Sequence, residues 1–286
     1  MPMINVQGTP VHYHLTGTGP AVVLLHGGGL DDAELSWGLL TALLAGHAMV
    51  VAPDLPGFGD SSLGATRPTV TGYASWLVAF MDAVGLPRCV LSGLSLGGAV
   101  AIRTALDAPS RVAGVLGCAP YGLDPRVPGG RLGWLTVHGP GIAAMSWWAM
   151  RHSRRAVAAS LRAVMRSPVD DQLLRDVLAL LHRPGAGAAW RAFQRDEVRW
   201  SGPRTVFGAE LAQVACPVLL LSGEHDLVDP GAVRDAAATI PNGAFALISN
   251  AGHWLPRDAP EAVADQLLKL ISAAKPPHHR LATGQE

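Results

Sequence analysis

The stretch Ser92-Gly93-Leu94-Ser95-Leu96-Gly97-Gly98 follows the apolar run Arg88-Cys89-Val90-Leu91 and leads into Ala99-Val100-Ala101-Ile102-Arg103-Thr104-Ala105-Leu106. A β-type run breaks at glycine, presents one serine and resumes in residues of helix-forming composition. This is G-x-S-x-G, the pattern of a nucleophile elbow. Gly93 and Gly97 carry no Cβ to clash in a tight strand-to-helix turn, so the turn can hold Ser95 on a strained backbone with its hydroxyl exposed. The strain is expected to fall on the glycines rather than on the serine. In a chain with 33 glycines such a pattern also arises by chance, so its meaning rests on partners elsewhere.

Those partners occur in a consistent order. Upstream, Ala21-Val22-Val23-Leu24-Leu25 reads as a buried strand entering His26-Gly27-Gly28-Gly29. Glycines there let the Gly28 N–H point at a reacting carbonyl oxygen, opposite the N–H of Leu96 just after the serine. Downstream, Pro217-Val218-Leu219-Leu220-Leu221-Ser222-Gly223 reads as a second buried strand ending in Glu224-His225-Asp226. That puts Asp226 at a strand's carboxyl end, where open α/β sheets keep their chemistry. A third run, Ala244-Phe245-Ala246-Leu247-Ile248, leads to Asn250-Ala251-Gly252-His253-Trp254. Among 11 histidines, His253 is singled out by its place after the last strand. Ser95 as nucleophile, His253 as base and Asp226 as orienter follow the order Ser…Asp…His. Asp229, three residues on, competes with Asp226.

These motifs resemble the α/β-hydrolase superfamily in its capped form, over nearly the whole chain from His12 to about Ile271. The stretch Asp54-Leu55-Pro56-Gly57-Phe58-Gly59-Asp60-Ser61 is similar to the family's loop after the second core strand. The resemblance implies an α/β fold, with a mostly parallel central sheet flanked by helices and an inserted helical cap. The family's Gly-x-x-Asp spacing favours Asp226, and the resemblance makes His26 a brace beneath the oxyanion turn. His225 reads as a solvated neighbour of the orienter.

Organisation agrees with that architecture. Residues 12–118 hold strands alternating with helices, including one over 70–84, where Tyr73, Leu77, Phe80, Met81 and Val84 recur at helical spacing. A Gly/Pro-rich linker over 120–133 then opens a segment without strong strands, with helices expected over 142–158, 160–165 and 170–182. The expected division is a core over 1–119, a cap over 120–204, a second core part over 205–274 and a disordered tail over 275–286. The cap holds Trp134, Trp147, Trp148, Trp190 and Trp200 with Met145, Met150 and Met165, expected as its own core, with some lining a ligand pocket.

Composition excludes several functions. With 286 residues, 49% hydrophobic and 15% charged, the chain is ordinary globular protein. No run of ~18 apolar residues and no basic-then-apolar leader occurs, so neither a membrane partner nor secretion is expected, and the location reads as cytoplasmic. Cys89, Cys118 and Cys216 read as buried thiols of a reducing compartment. No Cys/His cluster has metal-ligand spacing and no phosphate-binding glycine loop occurs, so no metal and no cofactor is expected. Net charge is zero, yet residues 120–204 carry 13 Arg against 6 Asp/Glu. The segment reads as a solvated helical face or as a cap attracting anionic substrates. No nucleic-acid-binding platform accompanies it; the partner expected is a small molecule, with the oligomeric state open.

Choosing the reaction turns on the resemblance. Epoxide hydrolases and haloalkane dehalogenases of this fold use aspartate where Ser95 stands. The first-ranked reading is a hydrolase of small or medium carboxylic esters or lactones. The second is a carbon–carbon hydrolase of vinylogous diketones, suggested by His26-Gly27-Gly28-Gly29, Trp37 and His253-Trp254, while Leu30-Asp31-Asp32 departs from its pattern. Gly29, Trp37 and Trp254 are the expected substrate contacts. A receptor that binds without turnover is the reading from another class, and an intact Ser95, Asp226 and His253 argue against it.

Overall fold

Ala21 to Leu25 is a run of five fully buried residues. Successive side chains of a strand point to opposite faces. Ala21, Val23 and Leu25 therefore enter one apolar layer while Val22 and Leu24 enter the other. A strand apolar on both faces belongs in the middle of a sheet covered on both sides. The computed structural model describes residues 2–126 and 130–274 together with the backbone of 278–279, and it puts this strand in such a place.

In chain order the core runs β1 (Met3–Val6), β2 (Thr9–Thr16), β3 (Gly19–Leu25), α1 (Ala33–Leu44), β4 (Met49–Pro53), α2 (Val70–Ala83), β5 (Cys89–Leu94), α3 (Leu96–Asp107) and β6 (Val112–Cys118). Five helices follow: α4 (Gly130–His138), α5 (Ile142–His152), α6 (Arg154–Val164), α7 (Asp171–His182) and α8 (Ala188–Glu197). A two-residue hairpin, β7 (Val198–Arg199) and β8 (Gly202–Pro203), leads back to the core. The chain closes with β9 (Val218–Gly223), α9 (Pro230–Thr239), β10 (Gly243–Ile248), α10 (Leu255–Asp258), α11 (Pro260–Ala274) and β11 (His278–His279).

The main sheet has the order β1-β2-β4-β3-β5-β6-β9-β10, with β11 pairing antiparallel to the start of β3. From β4 to β10 every neighbouring pair is parallel, while β1 and β2 add an antiparallel edge. This is the mostly parallel, helix-flanked sheet expected. The disordered-tail expectation for 275–286 lies outside the described residues apart from the backbone of 278–279, which pairs as a strand.

Helix boundaries follow local chemistry. Asp32 caps α1 by accepting the Leu35 N–H at 2.9 Å, and Asp170 caps α7 by accepting the Leu173 N–H at 2.8 Å. The single helix expected over 142–158 is divided: Ser153 is extended and caps α6 by accepting the Ala156 N–H. Serine is a far better N-cap than a helix-interior residue, so the run breaks there. Helices α4 and α8, unforeseen in the sequence, complete the insertion.

The insertion's own core matches expectation at Met165, which is buried in it, and differs elsewhere. It is built by Val157, Ala158 and Leu161 of α6 against Leu173, Leu174, Val177 and Leu181 of α7. Trp148, Trp200 and Met145 instead stand exposed. Cys89 and Cys118 are buried free thiols, while Cys216 is only half-buried.

Candidate functional site

Four loops at the carboxyl ends of β3, β5, β9 and β10 converge, and each carries one element of the sequence-derived site. Ser95 directly follows β5 with φ 50° and ψ −110°, a left-handed backbone that costs a non-glycine residue about 1–3 kcal/mol. The strain thus sits on the serine itself, contrary to expectation. Gly93 and Gly97 serve by close approach instead: a Cβ on Gly93 would collide with the Gly97 backbone, and one on Gly97 with the Leu25 carbonyl. The strained residue is held from both sides. Its N–H donates to the Cys118 carbonyl at 2.8 Å, and its carbonyl accepts the Tyr121 N–H at 3.0 Å.

The loops after β9 and β10 are sewn together. Glu224 N–H donates to the Ile248 carbonyl, His225 N–H to the Ala251 carbonyl, and Asn250 N–H to the Glu224 carboxylate. Gly223 permits this, since a Cβ there would meet the Ala251 and Gly252 carbonyls. The result brings His253 Nδ1 within 2.7 Å of Asp226 Oδ1. A carboxylate only accepts, so Nδ1–H donates, and in the neutral imidazole that leaves Nε2 as the acceptor. Asp226 Oδ1 also accepts the Val228 N–H at 2.9 Å, and its side chain is inaccessible to solvent. Asp229 points elsewhere: it caps α9 through the Gly231 N–H and pairs with Arg126, both at 2.9 Å. His225 is exposed, as expected of a neighbour without a partner role.

The turn after β3 rests on two buried braces. His26 Nε2 accepts the Leu55 N–H at 2.9 Å, so its proton lies on Nδ1, which donates to the Gly27 carbonyl at 2.7 Å. His26 is therefore the loop brace expected. The second brace was not legible in the sequence. Trp254 Nε1–H donates to Ser36 Oγ at 2.9 Å, Ser36 donates to Asp31 Oδ2 at 2.6 Å, and the Gly27 N–H donates to the same oxygen at 2.7 Å. This chain ties the residue after His253 to the residue before Gly28.

Burial pushes the Asp31 carboxyl up to about 6, against the hydrogen bonds from Ser36 and Gly27 that favour the carboxylate. A carboxyl raised in the folded state stabilises most below its unfolded pKa, and that contribution is lost as pH rises through about 6. Urea unfolding of wild type and Asp31→Asn should accordingly show a wild-type advantage that shrinks from pH 4 to pH 7.5, by about 3 kcal/mol at most. A pH-independent difference would remove the titration from Asp31.

Ser95, His253, Gly28, Gly29 and Trp254 line one cavity of about 480 Å³ beneath the inserted helices. Its roof comes from Ile142, Trp147 and Met150 of α5, Leu161 and Val164 of α6, and Trp190 and Gln194 of α8. Trp190, one of the cap tryptophans expected in its core or at a ligand pocket, lies so close to Gly28 that a Cβ on Gly28 would strike its ring. It stacks on Phe193 at 5.4 Å between ring centroids. Leu96 is the first residue of α3, and a first-turn N–H has no partner within its helix. Trp37, expected to touch substrate, is corrected: it is fully buried among Leu24, Leu40 and Leu44 in the layer beneath α1, because its apolar ring faces the sheet. Trp254 reaches the cavity, although most of its ring is buried and its N–H is spent on Ser36.

One group of possible metal ligands occurs among the described residues: His12, Asp54 and Asp60. Asp54 is already engaged, with Oδ2 accepting from His12 Nδ1 at 2.8 Å and the Asp60 N–H at 2.9 Å, and Oδ1 accepting the Ala33 N–H at 2.9 Å. It reads as a brace of the loop after β4.

Comparison with known proteins agrees with this fold. A sequence model described as the alpha/beta hydrolase family matches residues 22–266. The chain is 26% identical over 267 residues to the carboxylesterase YbfK of Bacillus subtilis, covering 90% of this chain and 83% of that one. It is 28% identical over 235 residues to a 2-hydroxy-6-oxo-2,4-heptadienoate hydrolase of Pseudomonas putida, covering 80% of each. Among solved structures, an esterase of Thermogutta terrifontis superposes with a TM-score of 0.75 at 26% identity, over 96% of this chain and 98% of that one.

Proposed function

This chain belongs to the alpha/beta hydrolase family, and we propose that it is a serine hydrolase cleaving a small or medium carboxylic ester or lactone through Ser95, His253 and Asp226. The observation that carries this reading is the 2.7 Å His253–Asp226 contact, on a cavity wall shared with Ser95. In this mechanism His253 Nε2 takes the Ser95 proton as Oγ attacks the acyl carbon. Asp226 holds the imidazole in its Nδ1–H tautomer and stabilises the imidazolium. The carbonyl oxygen becomes an oxyanion between the N–H groups of Gly28 and Leu96, each worth about 2.7–4 kcal/mol of barrier. Collapse expels the alcohol, which takes the proton from His253. A water then repeats the sequence on the acyl-enzyme, restoring Ser95.

The lining supports an acyl group of modest size. Its apolar wall of Ile142, Leu161, Val164 and the Trp147 and Trp190 rings is broken by few polar groups, among them Thr136, Ser146 and Gln194. Segment 120–204 acts as a cap that selects substrates while the core performs the chemistry. Trp147→Ala should therefore move chain-length preference across a p-nitrophenyl ester series by roughly tenfold, with acetate turnover little changed. Trp190→Ala should lower acetate turnover as well, because Trp190 backs the Gly28 turn. Loss of acetate turnover in a folded Trp147→Ala protein, with preference unmoved, would assign the cap a catalytic group.

The relative of Pseudomonas putida favours a second reading, carbon–carbon cleavage of a vinylogous diketone. Turnover of graded p-nitrophenyl esters alongside such a diketone separates the two. Fluorophosphonate labelling separates both from a receptor: labelling at Ser95 supports an enzyme. Absence of labelling together with absence of turnover would overturn the hydrolase reading.

A further inference from the structure

Between Asp124 and Asp170 the chain runs through 45 residues with no Asp or Glu and seven arginines. This stretch contains α4 and α5, and neither helix has a buried residue. Their inner side, including Val137, Ile142 and Trp147, lines the cavity. Turned away from it are Leu132, Met145 and Trp148, which are 69%, 66% and 62% exposed. Met145 and Trp148, like Leu132 and Leu135, are three residues apart and so share one side of their helix. Trp200, 59% exposed, extends the surface: its ring meets Trp134 edge-on at 5.0 Å and lies 5.2 Å from the Arg131 guanidinium. Large apolar side chains grouped in this way mark an interaction surface.

Charge selects the partner. Arg126 and Arg154 meet carboxylates, Asp124 and Asp229 for the first and Asp171 for the second. Helices α4 and α5 themselves hold no carboxylate to offset Arg131 and Arg151. A second copy bringing the same patch face to face would set cation against cation. Tryptophan, methionine and leucine flanked by arginine suit helices that lie in the plane of an anionic lipid surface, apolar side chains among the acyl chains and cations at the headgroups. We propose that the outer face of α4 and α5 docks on an anionic phospholipid bilayer. No helix among the described residues is long and apolar enough to cross a membrane, so the chain would lie on the bilayer rather than span it. Such docking would depart from the expectation of no membrane partner. Together with the ester reading it implies amphiphilic esters as substrates, because the docked helices also roof the cavity.

Flotation with vesicles of phosphatidylglycerol and phosphatidylcholine, against phosphatidylcholine alone, tests the docking. At low salt the wild type should partition at least tenfold more onto the anionic vesicles, and the binding should weaken as salt is raised. Met145→Ser/Trp148→Ser should lose tenfold or more of that binding. Arg131→Glu/Arg151→Glu should lose the preference for anionic lipid. None of these residues lines the cavity, so turnover of soluble p-nitrophenyl acetate should stay within twofold and report the fold. Equal partitioning onto both vesicles, or none, overturns the proposal. So does a wild-type dimer in sedimentation velocity that Met145→Ser/Trp148→Ser converts to monomer. A protein that floats yet hydrolyses no ester keeps the docking and defeats the ester reading, so the two fail separately.

Discussion

Replacing Ser95 by alanine is expected to abolish ester turnover and fluorophosphonate labelling while leaving the fold and its stability intact. The hydroxyl is the only group in the cavity proposed to bond to the acyl carbon. Removing a nucleophile from a cooperating triad leaves only the ~10³–10⁴-fold catalysis over water that the oxyanion donors and binding supply. Stability should barely move, because alanine inherits the same left-handed backbone at φ 50°. Ser95→Gly separates the two roles further. It should be equally inactive yet more stable than Ser95→Ala by about 1 kcal/mol, since glycine adopts that conformation freely. Turnover of p-nitrophenyl acetate and urea unfolding of the three proteins measure both effects. Near-wild-type turnover in a pure Ser95→Ala preparation would end the proposed mechanism.

Asp226→Asn should lower kcat by ~10²–10⁴-fold, the range for removing a partner in acid–base catalysis up to the full loss of an orienting aspartate. Oδ1 of Asp226 accepts two donors, His253 Nδ1–H and the Val228 N–H. An asparagine that keeps its oxygen there preserves the tautomer but offers no charge to the imidazolium, and its amide nitrogen replaces the buried Oδ2, which has no hydrogen-bond partner. The opposite orientation points N–H at N–H. Both arrangements cost transition-state stabilisation. Asp229→Asn is the internal control and should change kcat less than threefold, because that carboxylate is exposed, caps α9 and pairs with Arg126. Stopped-flow or steady-state kinetics on the same ester reads both variants. A larger loss from Asp229→Asn would move the orienter to that residue.

Local features made much of this protein legible before any coordinates. The Gly93-x-Ser95-x-Gly97 spacing states a tight turn because glycine's missing Cβ is a property of single residues, and the collisions at Gly93 and Gly97 bear out that argument. The apolar runs at 21–25 and 218–221 state central strands because both their faces need burial. The helix expected over 170–182 forms as α7, whose start rests on contacts only three residues long, Asp170 accepting the Leu173 N–H. That Ser95 itself carries the strain is not legible in the spacing, which tells which residues crowd but not which torsion yields.

What only the tertiary structure decided joins residues far apart. Trp37 and Trp148 are the same side chain in a sequence. One sits on the buried face of α1 and the other stands in solvent, because burial depends on what a helix face meets and not on what it is made of. The hydrogen-bonded chain from Trp254 through Ser36 and Asp31 to Gly27 spans more than two hundred residues, and the approach of Trp190 to Gly28 more than a hundred and fifty. No periodicity or propensity carries such pairings. Hydrogen bonds and van der Waals contacts act over a few ångströms, so they exist only after the parallel sheet has brought the ends of β3, β5, β9 and β10 together.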